Sequence, residues 1–182
     1  MSGITIAGIG RHVFWEPKSA TIAVVSQANH SPIYWSFSGP DSWRLSVNQK
    51  SSAFSADPEL IEALQKRAKP APMGPDRVLF RQGDPPTGVF ILRKGNATLT
   101  SQSDGDAVLS VQAGPGSLLG LPAVVGGKPY TLTAQAAEGA EFDMVPCEEF
   151  VELMRTEAQL SFRVLQILAA EIRFAREALS HL

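Results

Sequence analysis

VLFRQGDPPTGVFILRKGNATLT, residues 78 to 100, decides the fold. Two apolar runs, VLF and GVFIL, flank the turn-forming Gly83-Asp84-Pro85-Pro86, and an alternating run, ATLT, follows Lys94-Gly95-Asn96. Brief apolar runs punctuated by glycine and proline predict the short strands of an all-β sandwich or barrel. Working outward, the same rhythm predicts strands in RVLFRQ, GVFILRKG, ATLTSQ, AVLSVQAG, YTLTAQA and EFDMVP, with a hairpin at Ser103-Asp104-Gly105-Asp106, where Asp-Gly supplies positive φ at little cost.

Between the fourth and fifth strands lies GPGSLLGLPAVVGG. Gly114, Gly116 and Gly120 precede a short apolar helix, LPAVV, whose amides are able to face an anion, or serve only as scaffold. Past Pro146 the period of apolar residues changes from two to 3.6. CEEFVELMRT predicts a short helix, with Glu148 and Glu149 complementing its N-terminus, and AQLSFRVLQILAAEIRFAREALSHL a longer one. In the long helix Leu165, Leu168, Ile172, Ala175, Leu179 and Leu182 follow a 3, 4, 3, 4, 3 spacing. One helix face must cover the strands, but a seam this long in strict register points to a homodimer.

Upstream, SADPELIEALQKRAKPAP predicts a helix capped by Ser55 or Asp57 and stopped by Pro70 and Pro72. Before residue 55 the composition changes: Trp15, Trp35 and Trp43 sit among serines, glycines and β-branched residues. This block reads as an irregular or poorly structured extension, a β-rich arm or an interaction segment. The expected division is therefore an extension over 1–55 and a domain over 56–182, with the strands in about 77–146 and the helices in 147–182.

Composition removes several function classes. The chain has 182 residues, 16 lysines and arginines against 18 acids and a formal net charge of -2, so its global balance supplies no basic field for nucleic acid. One cysteine, Cys147, excludes an internal disulfide framework and a four-thiolate cluster. At a helix start it is either a thiol of lowered pKa or a packed cysteine. His12, His30 and His181 lie outside the predicted strands, which argues against a metal-binding cupin, a haem sensor and histidine-based catalysis. No leader pattern or membrane-length apolar run is present, so a soluble cytoplasmic protein is expected.

From about Ala56 onward the order of elements resembles the cyclic-nucleotide-binding, catabolite-activator-like (CRP/FNR-like) regulatory domain. The resemblance is carried by residues 78–100 and, in part, by GPGSLLGLPAVVGG, which is similar to that family's phosphate-binding cassette. It implies a mostly β fold with flanking helices: a cyclic-nucleotide-binding-type β-roll (a double-stranded, jelly-roll-like β-helix), then a short helix and a long seam helix. It also implies a non-enzymatic regulatory module. The ligand-binding residues it marks are Gly116, Gly120, Leu121, Lys128, Tyr130 and Thr131. Where nucleotide-binding members place a ribose-binding glutamate this chain has Leu121; Tyr130 stands nearest the phosphate-binding arginine, and Ala175 nearest the base-binding hydroxyl. A degenerate pocket is expected, with no cofactor and with a small effector or a protein partner; the alternative is a genuine cyclic AMP or cyclic GMP effector domain. Full-length regulators of this kind continue into a helix-turn-helix, and this chain ends at Leu182, so direct DNA binding is not expected.

Overall fold

The computed structural model describes residues 12–15, 21–25, 32–37, 43–50, 52–103 and 106–179. In the N-terminal block, for which the sequence leaves a β-rich arm among three readings, four strands form an antiparallel meander: β1 (His12–Trp15), β2 (Thr21–Val25), β3 (Pro32–Phe37) and β4 (Trp43–Lys50). The β-branched alternation of stretches such as TIAVV favours a pleated ribbon over coil. A short 3-10 turn, Ser52–Phe54, leads to α1 (Pro58–Gln65). Of the two candidate caps, Asp57 is the one used: its carboxylate accepts from the Leu60 amide at 3.1 Å.

Strands β6 (Val78–Phe80), β7 (Gly88–Lys94), β8 (Ala97–Ser103), β9 (Asp106–Ala113), β11 (Thr133–Ala136) and β12 (Glu141–Pro146) form where the alternation places them. Two further strands, β5 (Lys69–Pro70) and β10 (Leu118–Leu119), have two residues each. The strands make two sheets, in the orders β1-β2-β3-β4-β9-β8-β11-β6 and β10-β7-β12-β5. All pairs are antiparallel except β4 with β9, the link between the N-terminal meander and the roll. At the β7–β8 turn Gly95 has φ 80°, and a Cβ there would meet the Ala140 Cα at 2.8 Å, so the turn is held close to the chain entering β12.

The helices are α2 (Leu121–Gly126), α3 (Cys147–Thr156) and α4 (Ala158–Leu179). Two hydrophobic cores result. Phe80, Phe90, Leu92, Leu99, Val111 and Phe142 fill the roll, while Val89, Ile91, Leu118 and Val145 face outward to meet α1, α2, α3 and α4. β7 contributes to both, which is why its apolar residues run without alternation. The roll core also takes in Phe54, 6% exposed, which precedes residue 56 in the chain.

On α4 the stripe against the roll and helices is Leu160, Val164 and Ile167, continued by Phe174, whose ring meets Phe54 edge-on at 6.4 Å. This stripe lies roughly a quarter-turn around the axis from the seam marked in the sequence. Of the seam residues, Leu165 and Ile172 are exposed at 59% and 53%, Ala175 is exposed and Leu168 is half-buried. The Leu179 side chain and Leu182 lie outside the described residues. Arg163 reaches Asp57 at 2.8 Å and also pairs with Glu59, tying α4 to the start of α1.

Candidate functional site

The glycine-rich segment enters the roll through Gly116, at φ 83°, and passes along β10 to Gly120, the N-cap of α2, at φ 88°. That left-handed turn splits the side chains that follow. Leu121 is fully buried and, with Val124, packs into the helix-side core, whereas Ala123 faces the roll core. α2 ends at Gly127, also left-handed, and the chain returns through Lys128 to Tyr130.

Tyr130 turns inward and is 3% exposed. Its ring stacks on Phe80 with centroids 4.0 Å apart and planes 17° from parallel. Its hydroxyl donates to the Gly88 carbonyl at 3.0 Å and accepts from the Thr87 amide at 3.0 Å. The backbone is stitched to the turn before β7: the Gly83 amide donates to the Tyr130 carbonyl at 2.8 Å, and the Tyr130 amide to the Asp84 carbonyl at 2.9 Å. A Cβ on Gly120 would lie 2.9 Å from Tyr130 Cε1, so glycine there serves both the turn and the approach of the ring.

Between this segment and α4 lies a cavity of about 60 Å³. Phe54, Phe80, Leu99 and Leu132 supply apolar walls, and Gly120, Pro122 and Ala123 form the side toward α2. Tyr130, Thr131 and Glu171 bring the polar atoms. Of the six residues marked in the sequence, Gly120, Tyr130 and Thr131 meet at the cavity. Gly116 lies behind it in the turn, Leu121 faces the opposite core, and Lys128 is exposed on the surface. Among the described residues the cavity wall holds neither lysine nor arginine.

The α4 residue at the cavity is Glu171; Ala175, the position expected to face a ligand, is exposed one turn further on. Glu171 follows Ile167 by four residues and precedes Phe174 by three, so it continues the buried stripe, and an acid in that register was the available signal. Burial pushes its carboxyl up to about 8, and among the described residues Oε1 has no hydrogen-bond partner. The ring of Phe54, from the block set apart in the sequence reading, is the other contributor that spacing did not reveal. Cys147 is a packed cysteine: burial pushes its thiol up, Glu148 adds to the effect, and Sγ donates to the Pro86 carbonyl at 3.3 Å. No cluster of three potential metal ligands occurs among the described residues, and no helix among them is long and apolar enough to cross a membrane.

Comparison with known proteins bears on this geometry. Residues 72–157, spanning β6 to α3, match the cyclic nucleotide-binding domain family. Over 118 residues the chain is 31% identical to the transcriptional activator protein anr of Pseudomonas aeruginosa, covering 64% of this chain and 47% of that protein. The activator FnrA of Stutzerimonas stutzeri is 32% identical over the same length and the same shares. The chain thus spans about half the length of the curated relatives it matches. Among solved structures, the catabolite activator protein of Thermus thermophilus superposes with a TM-score of 0.57 at 24% identity, over 68% of this chain and 59% of that one. The sensor domain of the regulator DNR from Pseudomonas aeruginosa gives 0.53 at 15% identity, over 66% and 82%. At these identities the structural likeness shows a shared fold, the β-roll with its flanking helices.

Proposed function

We propose, from the premise that this chain carries a cyclic-nucleotide-binding-type regulatory domain of the CRP/FNR kind, that it is the non-enzymatic sensory domain of a transcriptional regulator whose effector is not a cyclic nucleotide. Two curated relatives are named as transcriptional activators, which supports the regulatory half of this reading. The observation that carries the effector half is Tyr130, stacked on Phe80 and bonded to Gly88 and Thr87; the resemblance sets this residue nearest the phosphate-binding arginine. A charge-assisted contact of arginine with phosphate contributes on the order of 2 to 5 kcal/mol, and ribose hydrogen bonds about 1 to 3 more. Without them, and with Glu171 adding an acid to the cavity, a desolvated cyclic phosphate finds no cationic side chain among the described residues of the wall.

Titration of the whole chain with cyclic AMP and cyclic GMP to about 1 mM should give no saturable heat, equivalent to binding weaker than roughly -4 kcal/mol. Micromolar binding would establish the second reading, a genuine cyclic-nucleotide effector domain. That reading is favoured by the family match running through the whole cassette, and it requires Tyr130 to leave its hydrogen bonds.

The domain acts as a homodimer in this proposal. Leu165 and Ile172 stay exposed after α4 has covered the roll, and Phe162, at 61% exposure, extends the same apolar surface. A second α4 in register covers Leu165 and Ile172 by coiled-coil packing. A change at the cavity reaches that contact through one helix, because Glu171 and Ile172 are consecutive.

A further inference from the structure

We propose that the cavity between the Gly120–Thr131 segment and α4 is a binding site for a small organic cation, a primary ammonium on a short apolar stem, whose N–H groups donate to Glu171. This deepens the sensory reading above and rests on it.

Three observations converge. The cavity, about 60 Å³, has room for a few heavy atoms and walls made mainly of Phe54, Phe80, Leu99 and Leu132, which suits an alkyl stem rather than a sugar. Glu171 lines its α4 side, and among the described residues its Oε1 is buried with no hydrogen-bond partner, so the carboxyl is not already tied to the protein. The remaining polar capacity is spoken for on one side: the Tyr130 hydroxyl already bonds Gly88 and Thr87, leaving Glu171 as the free acceptor and Thr131 at the exposed edge.

The charge around Glu171 gives the ligand its sign. Phe54, Phe80, Leu99, Pro122, Ala123 and Leu132 bring no titratable group to the cavity, and the Tyr130 phenol is the other titratable group in its wall. On α4 itself Arg173 and Arg176 are exposed, and Arg163 is engaged with Asp57 and Glu59. Among the described residues no cation lines the cavity beside it, and burial holds the carboxyl protonated up to about pH 8. An entering ammonium provides the missing countercharge, so binding ionises Glu171 and releases its proton. Affinity should therefore rise about tenfold per pH unit below 8 and level off above it.

The test uses n-butylammonium, with n-butanol and butyrate as probes of the same shape and different charge, titrated into the whole chain and followed by calorimetry and NMR shifts between pH 6 and 9. The ammonium should saturate in the millimolar range, consistent with so few heavy atoms. The alcohol should bind at least tenfold more weakly and butyrate not at all. Glu171→Gln should lower ammonium affinity at least tenfold and abolish its pH dependence. Thr131→Phe, at the exposed edge, should block entry while leaving Glu171 and the melting temperature in place. Equal binding of the alcohol, preference for butyrate, unchanged affinity in Glu171→Gln, or absence of ammonium binding would each overturn the proposal. Saturable micromolar binding of cyclic AMP would instead overturn the sensory reading on which it rests.

Discussion

Gly120 and Tyr130 occupy one space between them. Replacing Gly120 by alanine puts a methyl at 2.9 Å from the ring and keeps a φ of 88° that alanine resists, so Gly120→Ala should cost about 1 to 3 kcal/mol, read as a lower urea midpoint. An unchanged midpoint would mean the ring is not anchored. Glu171 gives a pH signature of the opposite kind to a surface acid. Its carboxyl is raised from an ordinary 4.5 to about 8, so below 4.5 folded and unfolded chains are both protonated and nothing is lost. As pH rises toward 8 the unfolded chain ionises while the folded one stays neutral, and stability falls. The melting temperature of Glu171→Gln should therefore gain on the parent between pH 5 and 8, and a constant difference would contradict the burial. At this scale the sequence made Gly120 and Tyr130 legible, because a glycine before a short helix and an aromatic in place of a charge are both anomalies of pattern. Glu171 stayed hidden because an isolated acid on a helix ordinarily marks the solvated face.

Elements were read with more success than residues. The six longer strands of the roll, and helices α1, α2, α3 and α4, stand close to where period and turn residues place them, since each is long enough to repeat its own pattern. Lys69–Pro70 and Leu118–Leu119 were not legible, because a two-residue strand has no period and exists through the partner it pairs with. α4 shows how one sequence can carry two seams. Leu160, Val164, Ile167, Glu171 and Phe174 repeat every three or four residues, and so do Leu165, Leu168, Ile172 and Ala175, so spacing alone does not say which stripe meets the roll. Burial selects the first; of the second, Leu168 packs partly on the helix-side core, while Leu165, Ile172 and Ala175 stay exposed for the proposed second copy. Ile172→Lys should accordingly shift sedimentation from dimer to monomer with the β signal retained, since a pair of buried like charges costs several kcal/mol. A parent chain that sediments as a monomer at tens of micromolar would remove the dimer from the proposal.

At the scale of the molecule, the informative boundary is the one the sequence placed at residue 56. Tryptophans and serines upstream disguised the place of Phe54 in the core, because it is one ordinary apolar residue whose burial depends on contacts far along the chain. A chain starting at Ser55 loses the Phe54 side chain from the roll core and from its contact with Phe174, at a cost of about 3 to 5 kcal/mol. One starting at Ser52 keeps both. The shorter chain should melt at least several degrees below the longer one, and equal melting would return the boundary to residue 56. Both truncations also strip β4 from β9 and expose a strand edge, so light scattering should rise in each. Among the strands that neither truncation removes is β7. Its residues Phe90 and Leu92 look into the roll while Val89 and Ile91 look toward the helices, so it is a common wall between the two hydrophobic interiors. Neither interior can open without stripping one face of that wall. Heating should therefore give a single calorimetric peak whose van't Hoff enthalpy equals the measured heat, with the amides of Val89, Phe90, Ile91 and Leu92 the last to exchange with deuterated solvent.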